Sequence, residues 1–309
     1  MANFRRNHGK EGRRSSFIGK AVLTTAILIG LMIFAFLKFS APNRSNTSNQ
    51  KDGESLDFIP IKLSGRQYLP VGKSSDVVHH SYYSIGYNTK KEIPDWVAYE
   101  LTKESLKIKN VPRAKRFIVD NEVKGKSAKH GDYINSGYTR GHMAPAGDMA
   151  FSEKAMRESF YMSNMAPQLR NFNGGIWREL EENVRDWTYD NDVLYVVSGP
   201  IFDDEKYEKI GGSTKVAVPD AFFKAILDLE GRSEKGIGFI IPHDTQVDHL
   251  REFAVSIDEI EKQTGLDLYS KLFTSDDNEE ALESSFNVNS WQISRSRFDQ
   301  RVKHWNNQK

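Results

Sequence analysis

A chain of 309 residues, 38 % hydrophobic and 28 % charged, has room for one large domain or two small ones. Its net charge of +1 provides no global attraction to polyanions, so any nucleic-acid contact must come from a local patch. The absence of cysteine excludes disulfides, zinc–thiolate centres, cysteine-ligated iron–sulfur clusters and a thiol nucleophile.

Residues 1–16 are basic, with Arg5, Arg6, Lys10, Arg13 and Arg14 set against Glu11. An apolar run from Ala21 to Leu37 follows, broken only by Thr24, Thr25 and Gly30. With Phe17, Ile18 and Phe39 it approaches the roughly 20 residues needed to cross a bilayer, so a transmembrane helix is expected over 17–39. The run ends in Phe36-Leu37-Lys38-Phe39, which offers no small-x-small cleavage site. The positive-inside bias places the basic segment in the cytoplasm and the rest of the chain outside it. The alternatives are secretion after cleavage and a mitochondrial presequence, which an arginine-rich, acid-poor start also suits. Residues 40–56 are polar and aperiodic, as expected of a linker, and leave 57–309 as the globular domain.

Within that domain, Val78–Tyr87 and Trp96–Leu101 have the β-branched and aromatic content of strands. Val193–Pro200 and Gly236–Pro242 read as buried strands ended by turns. Ser152 is placed to cap a helix reaching about Tyr161. Ile176, Leu180, Val184 and Trp187 recur at helical spacing, predicting one buried face on a helix over 174–187. Ser256–Gln263 predicts another helix, stopped at Gly265. Strands and helices mix without regular βαβ alternation, which favours α+β. The acidic stretch of about 275–283 (Asp276, Asp277, Glu279, Glu280, Glu283) reads as a solvated loop. The tail bearing Arg295, Arg297, Arg301 and Lys303 reads as a terminal helix packed on the domain.

The chemistry concentrates in Tyr138–Trp187. Phosphodiester hydrolysis needs a base to activate water, positive charge on the phosphate and stabilisation of the leaving oxygen. Arg140 and His142 flank Gly141, so an extended backbone projects both to one side, and the glycine allows close approach of a ligand. Asn173 lies at an expected helix N-terminus, where exposed amides favour phosphate, and its amide oxygen suits Mg²⁺. His79-His80, His243 and His249 lack partners at metal-binding spacing and are read as structural.

Three blocks then carry a resemblance: Thr139-Arg140-Gly141-His142-Met143-Ala144-Pro145, Tyr161-Met162-Ser163-Asn164-Met165-Ala166-Pro167-Gln168, and Asn171-Phe172-Asn173-Gly174-Gly175-Ile176-Trp177-Arg178-Glu179-Leu180-Glu181. Together they resemble the DNA/RNA non-specific endonucleases, the ββα-metal nucleases that include endonuclease G. The likeness extends over most of residues 80–270. It implies a ββα-metal fold around a mixed or antiparallel sheet and hydrolysis of DNA and RNA to 5′-phosphate products. It also implies a Mg²⁺ cofactor, with Mn²⁺ able to substitute. By the same resemblance His142 is the general base, Asn173 the direct metal ligand and Glu181 the holder of a metal-bound water. Arg140 lies near the phosphate or supports the site, Asn164 supports it from behind, and an upstream arginine, Arg116 with Arg113 in reserve, stabilises the transition state. Dimers are common in that family, making a homodimer one expectation. Thr139 departs from the family pattern, which usually has Asp there. The competing functions are an anchored nucleic-acid-binding protein without cleavage, and a narrower exonuclease or phosphodiesterase.

Overall fold

The computed structural model describes residues 65–307, apart from 73–75, 126, 205, 213, 231–233 and 274–275 and the side chains of 276–278 and 307. The basic segment, the expected transmembrane helix and the linker lie outside the described residues. Among the described residues, no helix is long and apolar enough to cross a membrane.

Of the thirteen strands among the described residues, nine frame the fold: β1 (Asp76–His79), β2 (Ser84–Asn88), β3 (Ile93–Thr102), β4 (Tyr138–His142), β5 (Met165–Leu169), β6 (Val193–Ile201), β7 (Ala221–Asp228), β8 (Lys235–Pro242) and β9 (Ala254–Val255). Seven of them form one antiparallel sheet in the order β9-β8-β7-β6-β3-β2-β1. The expected strand over Val78–Tyr87 is in fact β1 and β2, a hairpin turning between His79 and Ser84.

Both faces of the sheet are covered. Phe222 and Ile226 of β7 join one core with Val97, Tyr99, Trp177, Leu180 and Trp187. Phe223, Ala225 and Leu227 point the opposite way, into a second core with Trp96, Val197, Ile257 and Ile260. Successive side chains of a strand alternate between faces, so a strand buried on both shows no polar-apolar rhythm. The β7 strand was therefore invisible to periodicity, although every one of its residues is buried.

Besides a short helix over Lys103–Lys107, the described residues hold five helices: α1 (Glu153–Ser159), α2 (Arg178–Asn191), α3 (Ile257–Thr264), α4 (Asp276–Glu283) and α5 (Arg295–Lys303). Ser152 accepts from the Ala155 amide and caps α1, while α3 ends at Gly265 in the left-handed region, both as expected. On α2, the predicted face of Leu180, Val184 and Trp187 is buried. The basic tail packs on this helix: Arg301 lies 2.5 Å from the equally buried Glu179, and Arg297 pairs with Asp186 and Glu182.

The acidic stretch is helical rather than a solvated loop. Glu283 is only 4 % exposed, and its carboxylate lies within 4.8 Å of those of Asp258 and Glu261. Burial first, then the neighbouring acids, push Glu283 up to about 9 and Glu261 up to about 7. A carboxyl whose folded pKa is raised costs stability as pH climbs from its unfolded value toward the folded one. Glu283→Gln is therefore expected to raise Tm at pH 8 by about 2–4 °C, the shift for each ~1 kcal/mol in a domain of this size. The gain should fade by pH 5; calorimetry showing an equal or larger gain there would refute this account.

Candidate active site

The three sequence blocks converge because they form one ββα unit. Strands β4 and β5 pair antiparallel, with Thr139 opposite Gln168, Gly141 opposite Ala166 and His142 opposite Met165. The chain then turns into a helical segment beginning at Arg170, earlier than expected, which runs into α2 through a widened turn over Phe172–Trp177. Gly175 breaks the helical path there, with φ −103° and ψ −110°. Asn173 therefore sits inside the turn rather than at a helix N-terminus, and the stretch from Asn173 to Glu181 is not one straight helix.

That turn folds Asn173 back onto the hairpin. Its amide nitrogen donates to the Thr139 hydroxyl at 2.9 Å, and that hydroxyl donates onward to the Gln168 carbonyl at 2.8 Å. With its NH₂ committed to Thr139, Asn173 has its amide oxygen available as a hard ligand, the donor type that Mg²⁺ prefers. A hydroxyl at position 139 performs this task without the charge of a carboxylate.

Gly141 serves a different purpose from the one its sequence context suggests. A Cβ at this position would lie 2.1 Å from the buried side chain of Gln168, so glycine makes room for the partner strand and not for a ligand. Arg140 and His142 do share one side of β4, since both approach Phe117: the guanidinium lies 5.2 Å and the imidazole 6.0 Å from that ring. Arg140 also lies over Tyr133 and donates to the His130 carbonyl at 3.0 Å.

His142 is 7 % exposed, packed edge-on against Phe160 at 4.9 Å, and its Nε2 has no hydrogen-bond partner among the described residues. Burial, reinforced by the Arg113 charge, pulls its pKa down to about 3, so the imidazole is neutral at physiological pH. The backbone just after it is pinned from several sides. Trp177 donates to the His142 carbonyl at 3.3 Å, and Ser198 to that of Met143 at 3.1 Å. Asn164, fully buried, accepts from the Ala144 amide at 2.8 Å and donates to the Ala144 and Ser159 carbonyls. It thus braces the loop from behind and spends its polar atoms on backbone.

Of the two upstream arginines, Arg113 approaches the site. Its guanidinium lies 5.1 Å from the Phe160 ring that packs on His142, and its charge acts on both His142 and Glu181. Arg116 is exposed and has no hydrogen bond or ion pair among the described residues. Glu181 is half-buried, and burial raises its carboxyl above the usual range. Around it lie charges that the sequence reading missed. Arg185, one turn along α2, pairs with buried Asp148 at 2.7 Å, and the Tyr99 hydroxyl donates to the other Asp148 oxygen at 2.7 Å. Arg185 stands four residues after Glu181, a spacing that places both on one helix face and was visible in the sequence.

Comparisons with known proteins point to one family. The family model described as DNA/RNA non-specific endonuclease matches residues 66–275. A mitochondrial nuclease of Saccharomyces cerevisiae is 34 % identical over 222 residues, covering 65 % of this chain and 68 % of the yeast protein. A nuclease of Syncephalastrum racemosum is 33 % identical over 290 residues, covering 84 % of this chain and 89 % of its own. Among solved structures, the EndoG/EndoGI complex, whose subject is the mechanism of EndoG inhibition, matches with TM-score 0.58 and 34 % identity. That match covers 63 % of this chain and 86 % of the other.

Proposed function

The chain belongs to the DNA/RNA non-specific endonucleases, and from that we propose that it is a Mg²⁺-dependent enzyme cutting DNA and RNA with His142 as general base. The observation that carries this reading is the hydrogen bond from Asn173 to Thr139, which brings an amide oxygen beside the strand bearing His142. Asn173 would hold the ion, and Glu181 would hold a water of its shell. Once bound, Mg²⁺ supplies positive charge for the phosphate and the leaving oxygen. His142, neutral in its pocket, takes the proton of the attacking water. A base pulled so low is weak in the free enzyme; the negative scissile phosphate beside it would raise its proton affinity on substrate binding. Arg113 stands in for Arg116 as the upstream arginine, because its charge reaches the base. Arg140, stacked between Phe117 and Tyr133, holds the strand and adds positive potential. Contacts of this kind address the phosphate backbone and not base edges, in keeping with cleavage independent of sequence.

The purified chain is expected to nick supercoiled plasmid and degrade RNA in Mg²⁺, to stop in EDTA, and to leave 5′-phosphate ends that ligase rejoins. Plasmid and RNA both intact in Mg²⁺ and in Mn²⁺ would instead support a binding protein without cleavage. For location we favour a membrane anchor over 17–39 with the nuclease domain on the non-cytoplasmic side. The mitochondrial name of the yeast relative favours a second reading, an organellar presequence. N-terminal sequencing of the mature protein separates them, since an anchor retains residues 17–39.

A further inference from the structure

In the middle of the central sheet, Lys224 of β7 is 0 % exposed. It alternates with Phe223 and Ala225 and so faces the same side as Phe222 and Ile226, toward α2. Its ammonium donates to the Ser198 hydroxyl at 2.8 Å and lies 4.7 Å from the centre of the Trp177 ring. Burying an ammonium so completely is costly unless nearby anions compensate for the lost water. Among the described residues no carboxylate forms an ion pair with this ammonium, and the leading opposite charge acting on it is that of Glu181. Trp177 and Glu181 are four residues apart and so occupy one face of the helical segment above Lys224. Among the charges acting on Glu181, that of Lys224 is the strongest, and among those acting on Lys224, that of Glu181 is the strongest. Asp148 and Arg185 complete a set of two acids and two bases, with Lys224 and Asp148 buried and Glu181 and Arg185 half-buried.

The lysine also reaches the general base through bonded contacts. Ser198 accepts from Lys224 and donates to the Met143 carbonyl, while Trp177, whose ring lies beside the ammonium, donates to the His142 carbonyl. One cation thus touches both supports of the peptide that follows β4.

We propose that Lys224 is a positioning residue for the hydrolysis: it is the internal counter-charge that holds Glu181 in place, and through Ser198 it fixes the strand end bearing His142. This rests on the role of Glu181 given above. It adds a requirement that the reading itself does not contain, namely a buried cation on the sheet side of the site.

The test is a double-mutant cycle with Lys224→Met, Glu181→Gln and the pair together. Four quantities are read: kcat and KM on plasmid, Mg²⁺ affinity by titration calorimetry without nucleic acid, and Tm. Lys224→Met is expected to lower kcat about 10- to 100-fold and to weaken Mg²⁺ binding, the usual range for a residue acting through another. KM for plasmid should stay within about twofold, since Lys224 is sealed from the substrate surface. In the Glu181→Gln background, Lys224→Met should cost clearly less than in the native one, what remains being the part carried through Ser198. A purely structural lysine would lower Tm but give equal losses in both backgrounds, and that additivity overturns the proposal. So does Lys224→Met with native kcat. Should Lys224→Met not fold, Ser198→Ala carries the question: it keeps the charge but cuts the link to Met143, and native kcat in that variant overturns the proposal. Native activity in Glu181→Gln alone would instead refute the role given to Glu181, so the two failures are separable.

Discussion

His142→Ala is expected to lower kcat for plasmid nicking by about 10²- to 10⁴-fold, the range spanned by a positioned general base, with little change in KM. The residue ends β4, and its ring is held neutral by burial and by Arg113. A kcat within a few-fold of native would assign proton abstraction elsewhere. The same burial makes a second measurement possible. A histidine whose folded pKa lies below its unfolded value leaves stability untouched above about 6.5. As pH falls from there toward about 3, the unfolded chain binds a proton that the folded one refuses, and stability is lost. His142→Asn should therefore show a shallower fall in Tm between pH 6.5 and 4 than the native chain; parallel curves would show that the imidazole is not shielded as described.

Asn173→Ala carries the second large effect. Removing the one protein oxygen proposed to touch the ion is expected to weaken Mg²⁺ binding at least about tenfold and to lower kcat by roughly 10²-fold at saturating metal. Thr139→Val, which removes only the hydroxyl that holds the Asn173 amide, should fall in the same direction by about 10- to 100-fold or less. If Mg²⁺ affinity survives Asn173→Ala, the ion is held by other groups. If Thr139→Val is silent, the amide does not depend on that hydroxyl for its orientation.

The elements that sequence alone revealed are those with a one-sided environment and, for β6 and β8, those with an apolar run ended by a turn. The face of Leu180, Val184 and Trp187 was legible because the opposite side of α2 is polar. Strand β7 was not, because Phe222 and Phe223 enter different cores and leave no alternation, and Lys224 interrupts the apolar run that marks β6. A clue was present nonetheless: a single lysine inside the apolar run Ala221–Leu227 is an expensive choice unless something needs its charge. The acidic stretch misled for a related reason. Acid-rich composition reads as solvated, yet Glu283 lies against Asp258 and Glu261, residues close in space but over twenty positions away. At the site, the residue types were legible from the three blocks, but their division of labour was not. Which arginine approaches His142, and what occupies the space beside Gly141, depend on packing that no spacing encodes.

The fit of Gln168 against Gly141 bears on how this site can change over generations. Any side chain acquired at 141 collides with the Gln168 side chain as it is placed, and fits only where Gln168 gives way. A change at Gln168, by contrast, leaves a hollow in which larger residues at 141 become neutral drift. Once one of those has settled, restoring Gln168 alone restores the clash. Lineages that lose this pairing therefore cannot retrace their steps one substitution at a time, which gives the hairpin a built-in direction of decay.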